Sequence, residues 1–246
     1  MRPRVSLIVP AYNEGPAITE ALDRLLVASP PACEVLVVYD TPDDTTAPHA
    51  AAYAAKDPRV VPTLNTDGRG PAHAIRFGIH HASADVLVVT MADLSDDVTQ
   101  IPQLTELIEE GAVIAAASRY SPGGRQIGGP RLKGALSRLA GLSLHLLAGV
   151  ATRDPTNSFK AYSTDFVRRV GVESTAGFEL GIELVAKAHR LGLPIKEIPT
   201  VWRDRTVGTS NFKLGKWLPK YLRWYFFAFG RRIRADQLST RAGIRS

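Results

Sequence analysis

Several features that would each indicate a class of protein are scarce or missing in this sequence. Cys33 is the single cysteine, so no disulfide can form within the chain and nothing indicates an oxidising compartment. No apolar run approaches the roughly 20 residues that span a bilayer. The charged start, Met1–Arg4, is not followed by an apolar stretch of signal-peptide length. These absences predict a soluble or peripheral protein of the cytoplasm.

The motifs of several nucleotide-dependent enzyme classes are missing as well. The first predicted strand, Val5 to Pro10, is followed by Ala-Tyr-Asn-Glu instead of Gly-x-Gly-x-x-Gly, which argues against a dehydrogenase. Gly-x-x-x-x-Gly-Lys-Ser/Thr does not occur, so a P-loop NTPase is excluded. A sugar nucleotidyltransferase would need a Gly-rich basic loop directly after the first strand, and that loop is absent too.

Apolar runs and helical patterns alternate along most of the 246 residues. This alternation predicts an α/β domain over residues 1–212, with a mostly parallel central sheet and helices on both faces. Residues 213–246 are predicted to form a basic, aromatic-rich C-terminal helix and tail. The predicted strands are Val5–Pro10, Cys33–Tyr39, Val60–Leu64, Asp85–Met91, Ala112–Ala117, Phe159–Tyr162 and Ile195–Trp202. The predicted helices are Ala17–Ala28, Thr45–Lys56, Pro71–His81, Ile101–Glu110, Arg131–Val150, Glu179–Leu191 and Lys213–Gly230.

Positive charge is concentrated at the C-terminal end of the chain. Residues 203–246 contain eleven Lys and Arg against two Asp, whereas the whole chain has a net charge of +6. Aromatic side chains interleave with these charges over Trp217–Phe229, and Arg131–Val150 is predicted to be amphipathic. Both segments are typical of the bilayer interface and predict peripheral membrane contact at the cytoplasmic face. A helix packed on the domain or on a dimer partner is the alternative. Nucleic-acid binding is disfavoured because no recognition motif is present, and the oligomeric state stays open.

Carboxylates follow four consecutive predicted strands, at Glu14, Asp40, Asp67 and Asp93. In an open parallel sheet, ligands bind beyond the carboxyl ends of the strands. A row of carboxylates at that edge suits a divalent cation together with a phosphate-bearing ligand. Helix capping and turn formation explain any one of them equally well.

Eight segments, taken in order, resemble family-2 glycosyltransferases, and in particular the polyprenyl- and dolichyl-phosphate sugar synthases. The resemblance covers about residues 5 to 213. It implies the GT-A type of fold, a nucleotide-sugar donor, and Mg²⁺ or Mn²⁺ as cofactor. The matching segments are Val5-Ser-Leu-Ile-Val-Pro-Ala-Tyr-Asn-Glu14, Val37-Val-Tyr-Asp40, Gly68-Arg-Gly-Pro-Ala-His-Ala-Ile-Arg76, Met91-Ala-Asp93, Ser118-Arg-Tyr120, Asp154-Pro-Thr156, Gly177-Phe-Glu179 and Trp202-Arg-Asp-Arg-Thr-Val-Gly-Thr-Ser210.

The resemblance also implies roles for individual residues in donor binding. Asp93 would bind the metal beside the diphosphate, and Arg205 would act on a loop that closes over the donor. The further donor residues that it implies are Pro10, Tyr12, Glu14, Asp40, Gly70, Arg76, Ala92 and Ser210.

An anionic acceptor requires cations, and Arg offers a bidentate fork for phosphate. The resemblance brings Arg119 and Arg131 to the acceptor phosphate, and Lys133 and Ser137 lie in the same basic segment. Together with Asp93 and Arg205, Arg119 and Arg131 form the predicted catalytic set.

One departure from the family pattern concerns the metal. The expected Asp-Ala-Asp is Met91-Ala-Asp93 here, so one carboxylate is missing, while Asp96 and Asp97 follow closely. If the chain stays extended, Asp93 and Asp97 face the same way and are expected to share the metal. The alternative role for Asp97 is to cap the next helix.

These observations predict an inverting glycosyltransferase that moves a sugar from a nucleotide sugar to a polyprenyl phosphate. GDP-mannose and UDP-glucose both remain possible donors. The alternatives are transfer to a sugar or other hydroxyl acceptor, and a degenerate module that binds the nucleotide sugar without turnover. Met91 motivates the last of these.

Overall fold

A seven-stranded sheet forms the centre of the computed structural model, which describes residues 2–204 and 214–234, the latter with side chains from Leu218 onward. Its strands are β1 (Val5–Pro10), β2 (Cys33–Tyr39), β3 (Val60–Leu64), β4 (Val86–Val89), β5 (Ile114–Ser118), β7 (Lys160–Ser163) and β8 (Ile195–Pro199). The strand order is β3-β2-β1-β4-β7-β5-β8, and within this sheet β7 alone runs antiparallel to its neighbours. The predicted mostly parallel sheet is therefore confirmed. The short strands β6 (Arg125–Ile127) and β9 (Val201–Arg203) pair with each other in a second sheet.

Helices cover both faces of the central sheet, as predicted. Ile18, Leu22 and Leu104 belong to one buried apolar layer, and Ile75 and Leu184 belong to the layer on the opposite face. Strand β1 is buried along its whole length, as expected for a parallel strand covered on both faces. The helices are α1 (Ala17–Ala28), α2 (Thr46–Ala54), α3 (Pro71–His81), α4 (Ile101–Glu109), α5 (Arg131–Ser143), α6 (Thr164–Val170), α7 (Leu180–Leu191) and α8 (Leu214–Ala228).

The single strand predicted over Ile195–Trp202 is wrong, because the chain changes sheets at Pro199. Proline has no N–H to give to a ladder, and the next residue, Thr200, donates its backbone N–H to Ser118 O at 2.9 Å. The chain then continues as β9 and pairs with β6, which lies between the predicted strand Ala112–Ala117 and the predicted helix Arg131–Val150, where no strand was predicted. Helix α6 was not predicted either.

The long helix predicted over Arg131–Val150 is α5 followed by a π-helical turn, Leu144–Ala148, which ends at Gly149. Gly141 is the one buried residue of α5. A Cβ at this position would lie 2.0 Å from Arg153 O, so only glycine permits the helix to approach that loop. Leu132 and Leu139 face outward with 66% of their surface exposed.

Helix α8 confirms the predicted C-terminal helix and packs on α7. Trp224 is buried, and the Lys187 Nζ of α7 lies 5.3 Å from the centre of its ring. None of the described helices combines the length and the hydropathy of a membrane span. The predicted boundary at 212/213 falls outside the described residues.

Candidate active site

The loop after β1 is shaped by a buried carboxylate from the next strand–helix connection. Asp44 accepts hydrogen bonds from the backbone N–H groups of Asn13 at 3.0 Å and Thr46 at 2.8 Å. Asn13 adopts φ +55°, and Asn tolerates this left-handed conformation well. Tyr12 is consequently presented at the carboxyl edge of the sheet with 65% of its surface exposed. Glu14 lies two residues further along and is half-buried, whereas Pro10 is buried at the end of β1.

The ends of β2 and β3 are joined through Asp40. Its carboxylate accepts hydrogen bonds from Asn65 Nδ2 at 2.7 Å and from the backbone N–H of Gly70 at 2.6 Å. Gly70 has φ +104°, a conformation that favours glycine, and it precedes α3. Arg76, on α3, pairs with Asp67 through Nη2 and Oδ2 at 2.9 Å. The structure thus brings the predicted donor residues Asp40, Gly70 and Arg76 to one edge of the sheet.

The chain after β4 turns instead of staying extended, so the predicted arrangement of Asp93 and Asp97 is wrong. Leu94 adopts φ +60°, and Asp93 Oδ1 accepts a hydrogen bond from Ser95 N at 3.2 Å. Asp97 caps the following 3-10 turn, since its Oδ1 accepts hydrogen bonds from Thr99 N at 3.3 Å and Thr99 Oγ1 at 2.6 Å. The alternative role weighed for Asp97, that of a cap, is therefore the one that its contacts show.

The turn folds Asp96 back onto the position where the family's first aspartate is missing. Asp96 Oδ2 accepts hydrogen bonds from the backbone N–H of Met91 and from Thr90 Oγ1, both at 3.1 Å. Burial, together with the negative charge of Asp93, raises the pKa of the Asp96 carboxyl to about 7. Two carboxylates thus lie close together beside the buried Ala92.

The part of the chain that the structure describes contains no group of three His, Cys, Asp or Glu side chains that could hold a metal by themselves. Mg²⁺ is commonly bound by one or two carboxylates and completed by water and substrate phosphates. Asp93 and Asp96 fit a cation that is shared with a diphosphate, and they do not fit a cation held by the protein alone.

A second group of polar side chains is centred on Arg119, at the end of β5. Its guanidinium donates to Asp154 through Nε at 2.7 Å and Nη2 at 2.9 Å. Nη2 also reaches Ser137 Oγ, on α5, at 3.2 Å and Thr156 Oγ1 at 3.3 Å. Tyr120 donates its hydroxyl to Ser137 Oγ at 3.1 Å. The predicted acceptor residues Arg119 and Ser137 are therefore in direct contact.

The other two predicted acceptor residues lie earlier on α5. Lys133 is one turn before Ser137, so both residues lie on the same side of the helix. Arg131 is exposed in the first turn. Their binding of the acceptor phosphate stays a prediction.

Beneath this group the buried carboxylate of Asp154 attracts two buried cations, Arg119 and Lys160, which repel each other. Burial alone would raise the pKa of Asp154, but the charge and hydrogen bonds of Arg119 hold that pKa below its usual range. Lys160, on β7, donates to the carbonyl oxygens of Asn157 and, at 3.3 Å, Pro155. Burial lowers the pKa of Lys160 to about 7, while the charge of Asp154 acts in the opposite direction.

Both groups lie at the same edge of the sheet. One group follows β4 and the other follows β5, two strands that run in the same direction on either side of β7, and the charge of Arg119 acts to lower the pKa of Asp96. Strand β9 runs past the Asp93 turn, because the backbone N–H of Arg203 donates to Ser95 O at 3.0 Å. The predicted closing-loop residues Arg205 and Ser210 lie outside the described residues.

Sequence reasoning had assigned no role to three members of the Arg119 group: Asp154, Thr156 and Tyr120. A signal for them existed, since Ser118-Arg-Tyr120 and Asp154-Pro-Thr156 both occur among the segments that resemble the family. What the sequence lacked was the pairing between them.

Comparison with known proteins identifies the family. The family model "Glycosyl transferase family 2" matches residues 6–171. The chain belongs to glycosyl transferase family 2. An undecaprenyl-phosphate mannosyltransferase of Micrococcus luteus is 31% identical to this glycosyltransferase, and the match covers 98% of this chain and 100% of the relative. A polyprenol monophosphomannose synthase of Mycolicibacterium smegmatis is 28% identical over 87% of this chain and 86% of the relative.

A solved structure shows the same fold. A mannosyltransferase from Pyrobaculum calidifontis, solved in complex with GDP-Man and Mn²⁺, superposes with a TM-score of 0.64 at 21% identity. The match covers 98% of this chain and 70% of that one. The predicted GT-A type of fold is thereby confirmed.

Proposed function

We propose that this family 2 glycosyltransferase moves a sugar, with inversion, from a nucleotide-sugar donor to a polyprenyl phosphate at a membrane surface. The observation that carries the proposal is the contact of Arg119 with Ser137 of α5. The exposed leucines of the same helix face outward. One place in the molecule thus combines a phosphate-binding group with an apolar surface. The names of the two relatives, both polyprenyl-phosphate mannosyl enzymes, support this acceptor and favour mannose as the sugar.

The donor is placed at the edge formed by β1, β2, β3 and β4. Tyr12 is exposed there and offers an aromatic face to a base, while Glu14 and Asp40 offer carboxylates to base or ribose hydroxyls. Gly70 has no side chain, so the floor of the proposed donor pocket stays open next to Arg76. The turn at Ala92 and Asp93 receives the diphosphate.

The acceptor phosphate is placed at Arg119. The contacts of Arg119 with described residues use Nε and Nη2, so both N–H groups of Nη1 are available for a phosphate oxygen. Ser137 adds a hydroxyl, and Arg131 and Lys133 add positive charge from the exposed start of α5. Because Asp154 fixes the guanidinium plane, Nη1 is pre-oriented for an anion.

Membrane contact is assigned to an apolar surface on α5, the π-helical turn and α8. These three elements are neighbours, since Tyr225 of α8 is hydrogen-bonded to Ser143 of α5 at 2.9 Å between their hydroxyl oxygens. Large apolar side chains that are exposed are seldom concentrated in one place on a soluble domain. The apolar surface consists of Leu132, Leu136, Leu139, Leu146, Leu147, Leu218, Leu222, Phe226 and Phe229.

The basic side chains next to the apolar surface suit an anionic membrane. Lys220 and Arg231 are exposed on or just after α8, and Arg131 and Lys133 are exposed on α5. Cations beside an apolar helix face favour binding at the headgroup level of anionic lipid. This arrangement supports a peripheral position at the cytoplasmic face.

A divalent cation, Mg²⁺ or Mn²⁺, is proposed at Asp93, with Asp96 beside it and the donor diphosphate as the remaining ligand. Bound there, it supplies Lewis-acid neutralisation of the leaving diphosphate. The chain's own residues do the rest. Arg119 and Ser137 hold the acceptor phosphate, whose oxygen is anionic at neutral pH and needs no general base. That oxygen forms the bond to C1 of the sugar, while the bond from C1 to the diphosphate breaks and its electron pair leaves with the nucleotide.

The test is a transfer assay with undecaprenyl phosphate in vesicles, Mn²⁺, and radiolabelled GDP-mannose or UDP-glucose. We expect label in the lipid extract from GDP-mannose, and none when undecaprenol replaces its phosphate. EDTA and Asp93→Ala should each abolish the label. Arg24→Ala, which removes an exposed cation on α1, is the matched control and should transfer normally.

Two other results would contradict the proposal in different ways. Release of GDP without labelled lipid would move the acceptor to a hydroxyl compound. Binding of the nucleotide sugar with no release and no transfer would leave a binding module that does not turn over.

A further inference from the structure

Helix α8 is fixed against the catalytic domain in one orientation by contacts on two sides. Its Tyr225 hydroxyl lies 2.9 Å from Ser143 Oγ on α5, and its Arg223 pairs with Glu173 in the connection before α7. Between them Trp224 is buried with 3% of its surface exposed. The direction in which the side chains of α8 point, from Leu218 onward, is therefore determined by packing.

Tyr221 lies one helical turn before Tyr225 and hence on the same side of α8. Two charged groups of the domain act on its phenol, Glu179 at the start of α7 and Arg119 in the acceptor site. The Glu179 carboxylate is itself engaged, since it accepts hydrogen bonds from the backbone N–H of Ala176 at 3.1 Å and of Gly177 at 2.8 Å. Tyr221 thus shares with Tyr225 the side of α8 that faces α5, and its phenol is close enough to Glu179 and Arg119 for both charges to act on it.

The hydroxyl of Tyr221 is a hydrogen-bond donor that no described residue uses. It has no hydrogen-bond partner within residues 2–204 and 218–234, in contrast to the hydroxyls of Tyr225 and Tyr120. Burial raises the pKa of the Tyr221 phenol, and the charge of Glu179 raises it further. The group is consequently protonated, and able to donate, throughout the neutral range.

A phosphate monoester presents three acceptor oxygens and demands more donors than Arg119 supplies. The charge of Arg119 is largely neutralised by Asp154, with which it forms a bidentate pair. Neutral hydroxyl donors add geometric specificity without removing charge from the attacking oxygen. Ser137 is one such donor on α5, and a second on α8 would hold the phosphate from the other side.

We propose that Tyr221 donates a hydrogen bond to the phosphate of the acceptor bound at Arg119. The inference rests on the proposed function, and it gives α8 a second role. The helix that carries part of the apolar surface also completes the acceptor site. Tyr221 is then a substrate-binding residue that sets the position of the attacking oxygen.

The test compares Tyr221→Phe with Tyr225→Phe, two substitutions that remove one hydroxyl each from the same helix. Initial rates are measured with labelled GDP-mannose and undecaprenyl phosphate in nonionic detergent micelles, so that vesicle binding does not enter. Loss of a hydrogen bond to a charged group should raise the KM for the lipid phosphate about tenfold in Tyr221→Phe. The KM for GDP-mannose and the melting temperature should be unchanged. Tyr225→Phe should keep the acceptor KM of the wild type.

The other outcomes each overturn the inference. An unchanged acceptor KM in Tyr221→Phe shows that the hydroxyl does not reach the phosphate. An equal rise in both variants, or a lowered melting temperature with both KM values raised, shows that the residue acts through the packing of α8. If the wild type itself transfers no label to undecaprenyl phosphate, the proposed function fails first, and that result is distinguishable because it appears without any substitution.

Discussion

The guanidinium of Arg119 and the carboxylate of Asp154 form a buried bidentate ion pair, with Nε–Oδ2 at 2.7 Å and Nη2–Oδ1 at 2.9 Å. Asp154 also accepts hydrogen bonds from the backbone N–H groups of Arg119 at 3.0 Å and Asn157 at 3.1 Å. Burying two charges is costly unless all their hydrogen bonds are made. The pair therefore holds the guanidinium plane of Arg119 in one orientation.

Replacing Asp154 by Asn should leave Arg119 buried without its counter-ion. We expect the free energy of unfolding to fall by about 3–5 kcal/mol, as for other broken buried pairs. Urea denaturation at pH 7 measures this. Asp165→Asn, which breaks an exposed pair with Arg169, is the control and should cost less than about 1 kcal/mol. Equal losses in the two variants would contradict a special role for the buried pair.

The same pair predicts a pH dependence. Because the folded pKa of Asp154 is lowered, its contribution to stability is complete above the unfolded pKa near 4 and is lost as the pH falls through the folded value. The difference in unfolding free energy between the wild type and Asp154→Asn should therefore shrink below pH 4. A difference that stays constant down to pH 2 would contradict the lowered pKa.

Lys160 predicts an effect in the opposite pH range. Burial lowers its folded pKa to about 7, while the unfolded value is near 10.4. The unfolded chain then binds more protons between these values, so stability should rise with pH across pH 7–9, by at most about 1.4 kcal/mol per pH unit. Lys160→Met should remove that rise. Unfolding free energies measured at several pH values decide the point, and parallel curves for the two proteins would contradict it.

The first three strands could be predicted closely because a short continuous segment of sequence specifies a buried parallel strand. β1, β2 and β3 have the predicted bounds, since apolar residues dominate each run and Pro10, Asp40 and Asn65 mark the three ends. The row of polar residues at the carboxyl edge followed from the same reasoning. These predictions succeed because they depend on local sequence patterns and hardly depend on the order of the strands in the sheet.

The acceptor site could not be predicted in the same way, because it depends on distant pairings. Arg119 and Asp154 are 35 residues apart, and nothing in either segment specifies the other. The return of Asp96 to Met91 depends on a left-handed Leu94, a conformation that leucine rarely adopts. Asp97 was predicted to face the metal because the chain was taken to be extended at this point.

The turn after β4 leads to different expectations for Asp93 and Asp97. Binding of Mn²⁺ in the presence of GDP, followed by electron paramagnetic resonance, should weaken at least tenfold in Asp93→Asn. In Asp97→Asn it should change less than about threefold, because Asn keeps the cap that the Asp97 contacts describe. Equal weakening in both variants would show that Asp97 binds the cation, as the sequence had predicted. Melting temperatures serve as the control for folding.

The apolar surface predicts where the protein meets a membrane, and substitution tests it better than truncation. Removing α8 would uncover the part of the core against which its Trp224 and Ala228 pack. Loss of vesicle binding by a truncated chain would therefore be ambiguous. Leu146 and Leu147 are each 74% exposed, and changing both to Ser leaves the core untouched. Each buried leucine contributes about 1.5–3 kcal/mol, so sedimentation with anionic vesicles should weaken at least tenfold.

Val27→Ser is the matched control for this experiment, because Val27 is 89% exposed on α1, away from the three helical elements. Its vesicle binding should equal that of the wild type. Raising the salt concentration should weaken binding of all three proteins, since part of the attraction comes from exposed cations. If the double leucine variant sediments as fully as Val27→Ser, the apolar surface does not enter the bilayer. A shift of the wild type toward dimers in gel filtration, abolished by the same two substitutions, would then assign that surface to a second copy of the chain.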